Sequence, residues 1–441
     1  MKYQNVIILF LCCLLLIPPY VAFAKKPTPK RPPPTSFHID KIIIVGTETT
    51  KPVIILRELL IQENQDVDAS KIETDRLRLM NLQLFNRVDI FPMKTSDSTA
   101  LVIAVTERFY ILPLPYANWI GPESKDYEYG FRYSQNNFRG MNRKIMASAW
   151  SGITKGFVFV YSDPWLTWTN GYGYSVQLGY STSQEAVSEE NAKQKNERFI
   201  ALGSVSKRYT PQLFSRVYLG VQRMRMQKSL TLSKKYYDEM LLGKIEMIQD
   251  RRDLIELPHR GDYFNPWIDL TLFKEPAKIR SIFGIDFRQY LPLSPDWTLS
   301  AQATGLGVSG VSPRYMQTTL GEEMTVRGNP DVEVDGDYLG KVAVDLRYRL
   351  IPTQYWDWFG APKRIAKYTR NLKYGVSVSG FSEIGQAWIK QQRFFGERYY
   401  WGYGVAITLA MPFVDVFRID CGLNPGDKFV PNFKVSIRAG L

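Results

Sequence analysis

From about Pro113 to Leu441 the chain alternates apolar and polar residues, strand after strand, and beyond the first residues it has no long apolar run. Tyr172, Tyr174, Val176, Leu178 and Tyr180 fall on one face of such a strand, with Gly173, Ser175, Gln177, Gly179 and Ser181 on the other. An aromatic face opposite a face of small polar residues suits a sheet with lipid outside and water inside. That sheet must close on itself, because an open edge in hydrocarbon leaves backbone N–H and C=O groups unpaired at several kcal/mol each. The pattern predicts a mainly β chain built around an antiparallel transmembrane β-barrel of the outer-membrane kind.

The first residues read as a secretory signal, with Lys2, an apolar stretch from Val6 to Ile17 and a small-residue cleavage site at Ala22-Phe23-Ala24. Beyond residue 24 one cysteine remains, Cys421, so no intrachain disulfide is expected in the processed chain. The net charge of +13 has no nucleic-acid motif beside it, so no nucleic-acid partner is expected. Anionic lipid headgroups or a cationic lumen account for it better.

Four segments follow: a signal peptide over 1–24, a linker over 25–36, an α/β unit over 37–107 and the barrel over 108–441. The linker, KKPTPKRPPPTS, is a stiff polyproline-type tether. In the α/β unit His38 to Val45 reads as a strand ending at Gly46, and Thr50-Lys51-Pro52 as the start of a helix running to Gln62. Ser70 with Glu73 forms a capping-box pattern for a second helix carrying Leu77, Met80 and Leu84. Two strands, Val88 to Met93 and Leu101 to Val105, close a βααββ order. The 334 residues of the last segment hold about sixteen crossing strands, at about 9–11 residues each plus turns. Along Tyr338 to Leu350 the inward set is Lys341, Asp345, Arg347 and Arg349. On Lys373 to Trp388 the inward set includes Ser377, Ser379, Phe381, Glu383 and Gly385. Charges on the enclosed face argue against a soluble sandwich.

The βααββ unit, with its Leu84-Phe85-Asn86-Arg87-Val88 segment and closing Val105-Thr106-Glu107, resembles a POTRA domain. A POTRA domain directly before a C-terminal barrel resembles the BamA/TamA superfamily of outer-membrane assembly and translocation proteins, across nearly the whole chain after the signal. Several barrel segments add to the resemblance: Asn137-Phe138-Arg139-Gly140; the Asp163-Pro164 turn; Asp250-Arg251-Arg252-Asp253 followed by Pro258 and Gly261; Val326-Arg327-Gly328; and Phe381-Ser382-Glu383-Ile384-Gly385. The resemblance implies that Arg327 is carried into the lumen at the tip of a long loop and pairs there with Glu383. A planar guanidinium fork suits such a carboxylate. The chain departs from the pattern at Asn329, where an aromatic is usual, at Glu383 in place of aspartate, and at Leu441, where relatives commonly finish on an aromatic.

Asp331-x-Glu333-x-Asp335-Gly336 has the start of a calcium loop, but Val342 stands where the bidentate acid belongs, so an exposed acidic loop is expected. His38 and His259 are the only histidines, and no metal-ligand spacing, nucleophile elbow or phosphate loop is found, so neither cofactor nor enzyme activity is expected. The resemblance implies a barrel that inserts proteins into, or translocates them across, the outer membrane. Client polypeptides would add to the POTRA sheet edge and open the seam near Gly440 and Leu441; lipids and periplasmic accessory proteins are further partners. A two-partner-secretion-type export pore and a passive porin-like barrel stay open as alternatives.

Overall fold

The α/β unit is assembled from two small sheets and two helices, seen in a computed structural model that describes residues 36–96, 98–119, 127–166, 171–186, 193–321, 324–329, 332–363, 365–390, 398–411, 416–425 and 432–438. The signal segment, residues 25–35 of the linker, Asp331, Gly440 and Leu441 lie outside the described residues. Strands β1 (Phe37–Ile39), β2 (Lys41–Val45) and β3 (Gln65–Val67) alternate with helices α1 (Pro52–Leu56) and α2 (Ala69–Asn81), and β4 (Phe85–Lys94) and β5 (Thr99–Glu107) follow. The main sheet has the order β2-β5-β4, and β1 pairs with β3 as a separate ribbon. Its core is Ile54, Ile55, Leu79, Leu84, Phe85, Val88, Ile103 and Val105, all buried.

The order is ββαβαββ rather than the expected βααββ, because Gln65–Val67 forms a strand between the helices to pair with β1, and the second helix ends at Asn81 before Leu84. Three further details differ. The strand expected from His38 to Val45 breaks at Asp40, whose N–H donates to the Thr99 carbonyl at 2.9 Å. Helix α1 stops at Leu56 rather than Gln62. The buried Asp75 carboxylate takes the Leu60 and Ile61 N–H groups at 2.9–3.0 Å, which removes them from a continuing helix. Helix α2 is capped by Asp68, which accepts from Lys71 N–H at 2.8 Å; Ser70 instead donates to Asp68, and Glu73 is held by Arg76.

The barrel begins with β6 (Ile111–Trp119), β7 (Tyr127–Phe138), β8 (Arg143–Gly152), β9 (Thr154–Asp163), β10 (Tyr172–Ala186) and β11 (Lys193–Thr210). It continues through β12 (Leu213–Arg225), β13 (Tyr237–Asp250), β14 (Gly261–Phe273), β15 (Lys278–Pro292) and β16 (Trp297–Gly310). A long loop carrying the short strands β17 (Thr318–Leu320) and β18 (Val334–Gly336) leads to β19 (Tyr338–Trp356), β20 (Leu372–Trp388), β21 (Tyr400–Ala410), β22 (Val416–Leu423) and β23 (Asn432–Arg438). Leaving out β17 and β18, these are sixteen strands in one antiparallel meander with β6 at one end and β23 at the other. The barrel seam therefore falls between first and last strands.

Burial is inverted relative to a soluble protein. Leu219, Val205, Ile245 and Val405 are 57–65 % exposed, whereas Ser204, Gln222, Glu246, Thr408 and Asp420 are buried. Burying such an apolar side chain is worth about 1.5–3 kcal/mol, so a wall this apolar calls for lipid around it.

The POTRA-like unit sits across one end of the barrel, on turns from widely separated strands. Lys51 N–H donates to the Gly140 carbonyl at 2.9 Å, in the β7–β8 turn. Glu58 takes both terminal nitrogens of Arg208, at the end of β11, at 2.6 and 2.8 Å. Asn81 reads the backbone of the β13–β14 turn in both directions, donating to the Asp253 carbonyl and accepting from Ile255 N–H, each at 2.9 Å. Asn86 donates to the Tyr368 and Arg370 carbonyls of the β19–β20 turn.

Candidate functional site: a loop arginine against the inner wall

The loop between β16 and β19 turns back on itself and buries its own apolar residues. Leu320, Met324 and Val326 pack on Leu339 and Ala387 of the wall, and β17 pairs with β18. This packing delivers the tip, Arg327, to the inner faces of β19, β20 and β22. The guanidinium grips Asp345 with both terminal nitrogens (3.2 and 3.1 Å), reaches Asp420 at 3.1 Å, and donates through Nε to Glu383 at 2.8 Å. Its Cζ lies 3.8 Å from the centroid of the Phe381 ring. Arg418 closes the network from β22, donating to Asp345 and Asp420 at 2.9 Å each.

Arg327 and Glu383, expected together, are in contact, but the bidentate fork expected on Glu383 falls on Asp345. The extra methylene of Glu383 explains the exchange: one carboxylate oxygen takes Nε while the other reaches the backbone N–H of Arg327. Two arginines face three carboxylates, so neither Asp345 nor Asp420 is left without a cation. Gly328 adopts φ +89°, and a Cβ there would lie 2.5 Å from the Leu423 carbonyl oxygen. Gly385 lies under the loop, where a Cβ would meet Val326 at 2.5 Å. Asn329 is buried, and its amide donates to the Trp401 carbonyl at 2.9 Å. Where an aromatic would have packed, a polar tie to β21 stands.

The remaining motif residues gather elsewhere, at the end that carries the POTRA-like unit. Asp163 accepts from Trp165 N–H at 3.0 Å and pairs with Arg143, so the turn through Pro164 is pinned by its own aspartate. In the β13–β14 turn, Asp250 holds Arg252, and Arg251 holds Asp262 at 2.9 Å. Asp253 accepts from the N–H groups of Leu254 and His259, at 2.8 and 2.9 Å. Gly261 has φ +101° where a Cβ would strike the Arg251 carbonyl. Asn137 is buried and donates to Thr50 of the α/β unit at 2.9 Å. Around Glu58 stand three arginines: Arg208 in hydrogen-bond contact, Arg78 at 3.7 Å and Arg57 at 3.9 Å. Burial pushes the Arg57 guanidinium down to about 10, with Glu58 pulling the other way.

Sequence reasoning placed Asp345 on the inward face without a partner and passed over Asp420, Arg418, Glu58 and Arg208. The Arg418–Asp420 spacing of two, on one face of a strand, was the available signal for the first pair.

Sixteen meandering strands, an α/β unit on their turn end and a loop arginine laid on the inner wall define a β-barrel of the outer-membrane kind preceded by a POTRA-type unit. Residues 37–108 match the POTRA family model, described as surface antigen variable number repeat. Over 113 residues the chain is 30 % identical to the outer membrane protein assembly factor BamA of Neorickettsia risticii (strain Illinois), a match covering 25 % of this chain and 15 % of that protein. The chain thus spans a small part of that relative's length. Its fold resembles the crystal structure of BamA from Haemophilus ducreyi lacking POTRA domains 1–3, with TM-score 0.53 and 15 % identity over 90 % of this chain and 82 % of that one. It also resembles CdiB from Acinetobacter baumannii, with TM-score 0.50 and 12 % identity over 91 % and 73 % of the two chains.

Proposed function

We propose that this chain resides in a bacterial outer membrane with its POTRA domain in the periplasm, and that it inserts polypeptides into, or moves them across, that membrane by way of its seam. The observation that carries the reading is in β6. Asn136 N–H donates to the Tyr110 carbonyl at 3.0 Å, so even-numbered residues at the start of this strand point their backbone groups at β7. The odd-numbered ones point at the seam, and two of them are Pro113 and Pro115, which have no N–H to give. The seam therefore lacks two donors on this side.

The lumen offers a poor alternative route. The Arg327 loop is fastened inside it, and the POTRA domain bridges turns from β7 round to β20 at one mouth. Arg327, Gly328, Glu383 and Gly385 act in this reading as the fastening of the loop. An export pore would need both obstacles to leave together, and a porin would need them absent. At the POTRA domain, β4 is the more open sheet edge for an extended client: Phe91 and Met93 are exposed there and only Pro92 withholds a donor, whereas Ile42 N–H on the other edge strand is already taken by Glu63 at 2.9 Å. Insertion of this kind is strand pairing plus burial and needs no catalytic group. Lipids, client polypeptides and periplasmic accessory proteins are its partners.

The test uses the full chain in liposomes, with Cys421→Ser and one cysteine each on β6 and β23. Oxidative closure of the seam is expected to abolish assembly of an added unfolded barrel client, and reduction to restore it. Undiminished assembly with the seam crosslinked would remove the seam from the mechanism.

A further inference from the structure

One turn at the POTRA end of the barrel is built unlike the others. Pairing of β16 with β19 stops at Trp297 and Tyr348, yet β19 continues to Trp356 against β20 alone. Part of the resulting ribbon and turn is held by the POTRA domain: the Arg87 guanidinium lies 5.2 Å from the Tyr355 ring centroid, and Asn371 donates to Thr106 at 2.8 Å. Another part is bare. Leu350, Trp356 and Trp358 are 56, 44 and 43 % exposed, and Phe359 is 93 % exposed. The patch continues upward into the lipid-facing wall, where the Trp297 and Tyr348 rings lie tilted against each other with centroids 4.8 Å apart.

The charge of this turn is one-sided. Two basic residues of the Trp356–Lys373 segment are already paired, Lys367 with Glu48 at 2.9 Å and the buried Lys373 with Glu256. Lys363 and Arg370 are exposed, against a single acid of the turn, Asp357. That acid is occupied, accepting from Asn371 N–H at 2.6 Å. Tryptophan and phenylalanine beside clustered lysine and arginine suit the boundary between acyl chains and anionic headgroups, where the rings shed water and the cations meet phosphate. Continuity with the lipid-facing wall points to the same medium, since an apolar patch of this size calls for a covering.

We propose that the turn between Trp356 and Arg370 is a membrane anchor: its aromatic tip seats in the headgroup layer of the periplasmic leaflet, and its exposed Lys363 and Arg370 bind anionic phospholipid. The inference rests on the orientation given above, with the POTRA end of the barrel facing the periplasm. Because the same turn holds Asn86 and Thr106, the anchor ties the POTRA domain to the leaflet as well as to the barrel.

The experiment uses the full chain, free of other cysteines, with Phe359→Cys carrying a nitroxide, in vesicles of phosphatidylethanolamine and phosphatidylglycerol. Heat-modifiable migration confirms that the barrel has inserted, which separates failure of the anchor from failure of the barrel reading. The ratio of oxygen to water-soluble nickel-chelate accessibility is expected to be several-fold higher at 359 than at Lys94→Cys on the POTRA surface. Exchanging phosphatidylglycerol for phosphatidylcholine is expected to lower that ratio. A label at 359 as water-exposed as the one at 94 overturns the anchor. A ratio indifferent to lipid charge overturns the anionic preference. A photo-crosslinker at 359 that captures a polypeptide in cell envelopes, rather than phospholipid, overturns it in favour of a protein dock.

Discussion

The carbonyl oxygen of Arg327 lies 1.6 Å from the point that a Cβ on Gly402 would occupy. Loop and wall thus meet backbone to backbone, and the missing side chain on β21 sets how far Arg327 enters.

Gly402→Ala is therefore expected to lift the loop tip and pull the guanidinium off its carboxylates. Limited proteolysis of the loop and single-channel conductance should both rise. Gly380→Ala serves as the control, because its Cβ would find nothing nearer than the Gly404 carbonyl oxygen at 4.0 Å. Equal behaviour of the two variants would remove the close approach as a determinant of loop position.

Arg327→Ala leaves Glu383, Asp345 and Asp420 in the wall with Arg418 as the arginine still hydrogen-bonded to the two aspartates. Removing one member of a buried ionic cluster costs about 3–5 kcal/mol, read here as a lower unfolding midpoint and a loop open to protease. Arg327→Lys keeps the charge but not the fork, so it should recover only part of the loss. Full recovery by lysine would mean that charge alone holds the loop.

Glu58→Ala leaves Arg57, Arg78 and Arg208 crowded with no shared carboxylate. Like charges then face each other across the junction, and the POTRA domain is expected to leave the barrel turns. Faster amide exchange in the β11–β12 and β13–β14 turns, with the barrel itself unchanged, is the predicted signature.

His259 supplies a pH dependence. Its ring nitrogen Nδ1 lies 2.7 Å from Thr298 Oγ1, and burial, followed by Arg349, depresses the imidazole below its ordinary 6.5. A base depressed by folding stabilises the fold fully above its unfolded value, and that contribution is lost as pH falls through 6.5 toward the folded value. Mild acid should loosen the β13–β14 turn, and with it the Asn81 contact. His259→Gln should flatten this dependence; an unchanged profile in that variant would assign the effect to another group.

Strand parity made the inward faces legible, and with them Glu383 and Asp345, because alternation is a local property of each strand. The choice of Asp345 for the fork was not legible. It depends on the stagger between β19 and β20 and on how far the Glu383 methylenes extend. Glu58 and Arg208 are 150 residues apart, joined only by domain docking, which leaves no periodic trace. Helix α1 ends early because Glu58 and Leu59 N–H tighten onto carbonyls three residues back and Asp75, on another helix, captures Leu60 and Ile61 N–H. Pro113 and Pro115 stood in plain view, but their meaning depends on β6 being the first strand of the sheet.

The two flanks of the seam differ in compliance. On one side Arg327 clamps β19, β20 and β22, with β21 between them held by Asn329, so four neighbouring strands move as a panel. On the other side β6 is laddered to β7 and presents prolines outward. If the seam opens as proposed, its motion should be lopsided, with the early flank swinging and the late flank staying as the jamb. An arriving client strand would then meet β23, which is laddered to the clamped β22, and the yielding partner would be the chain's own first strand.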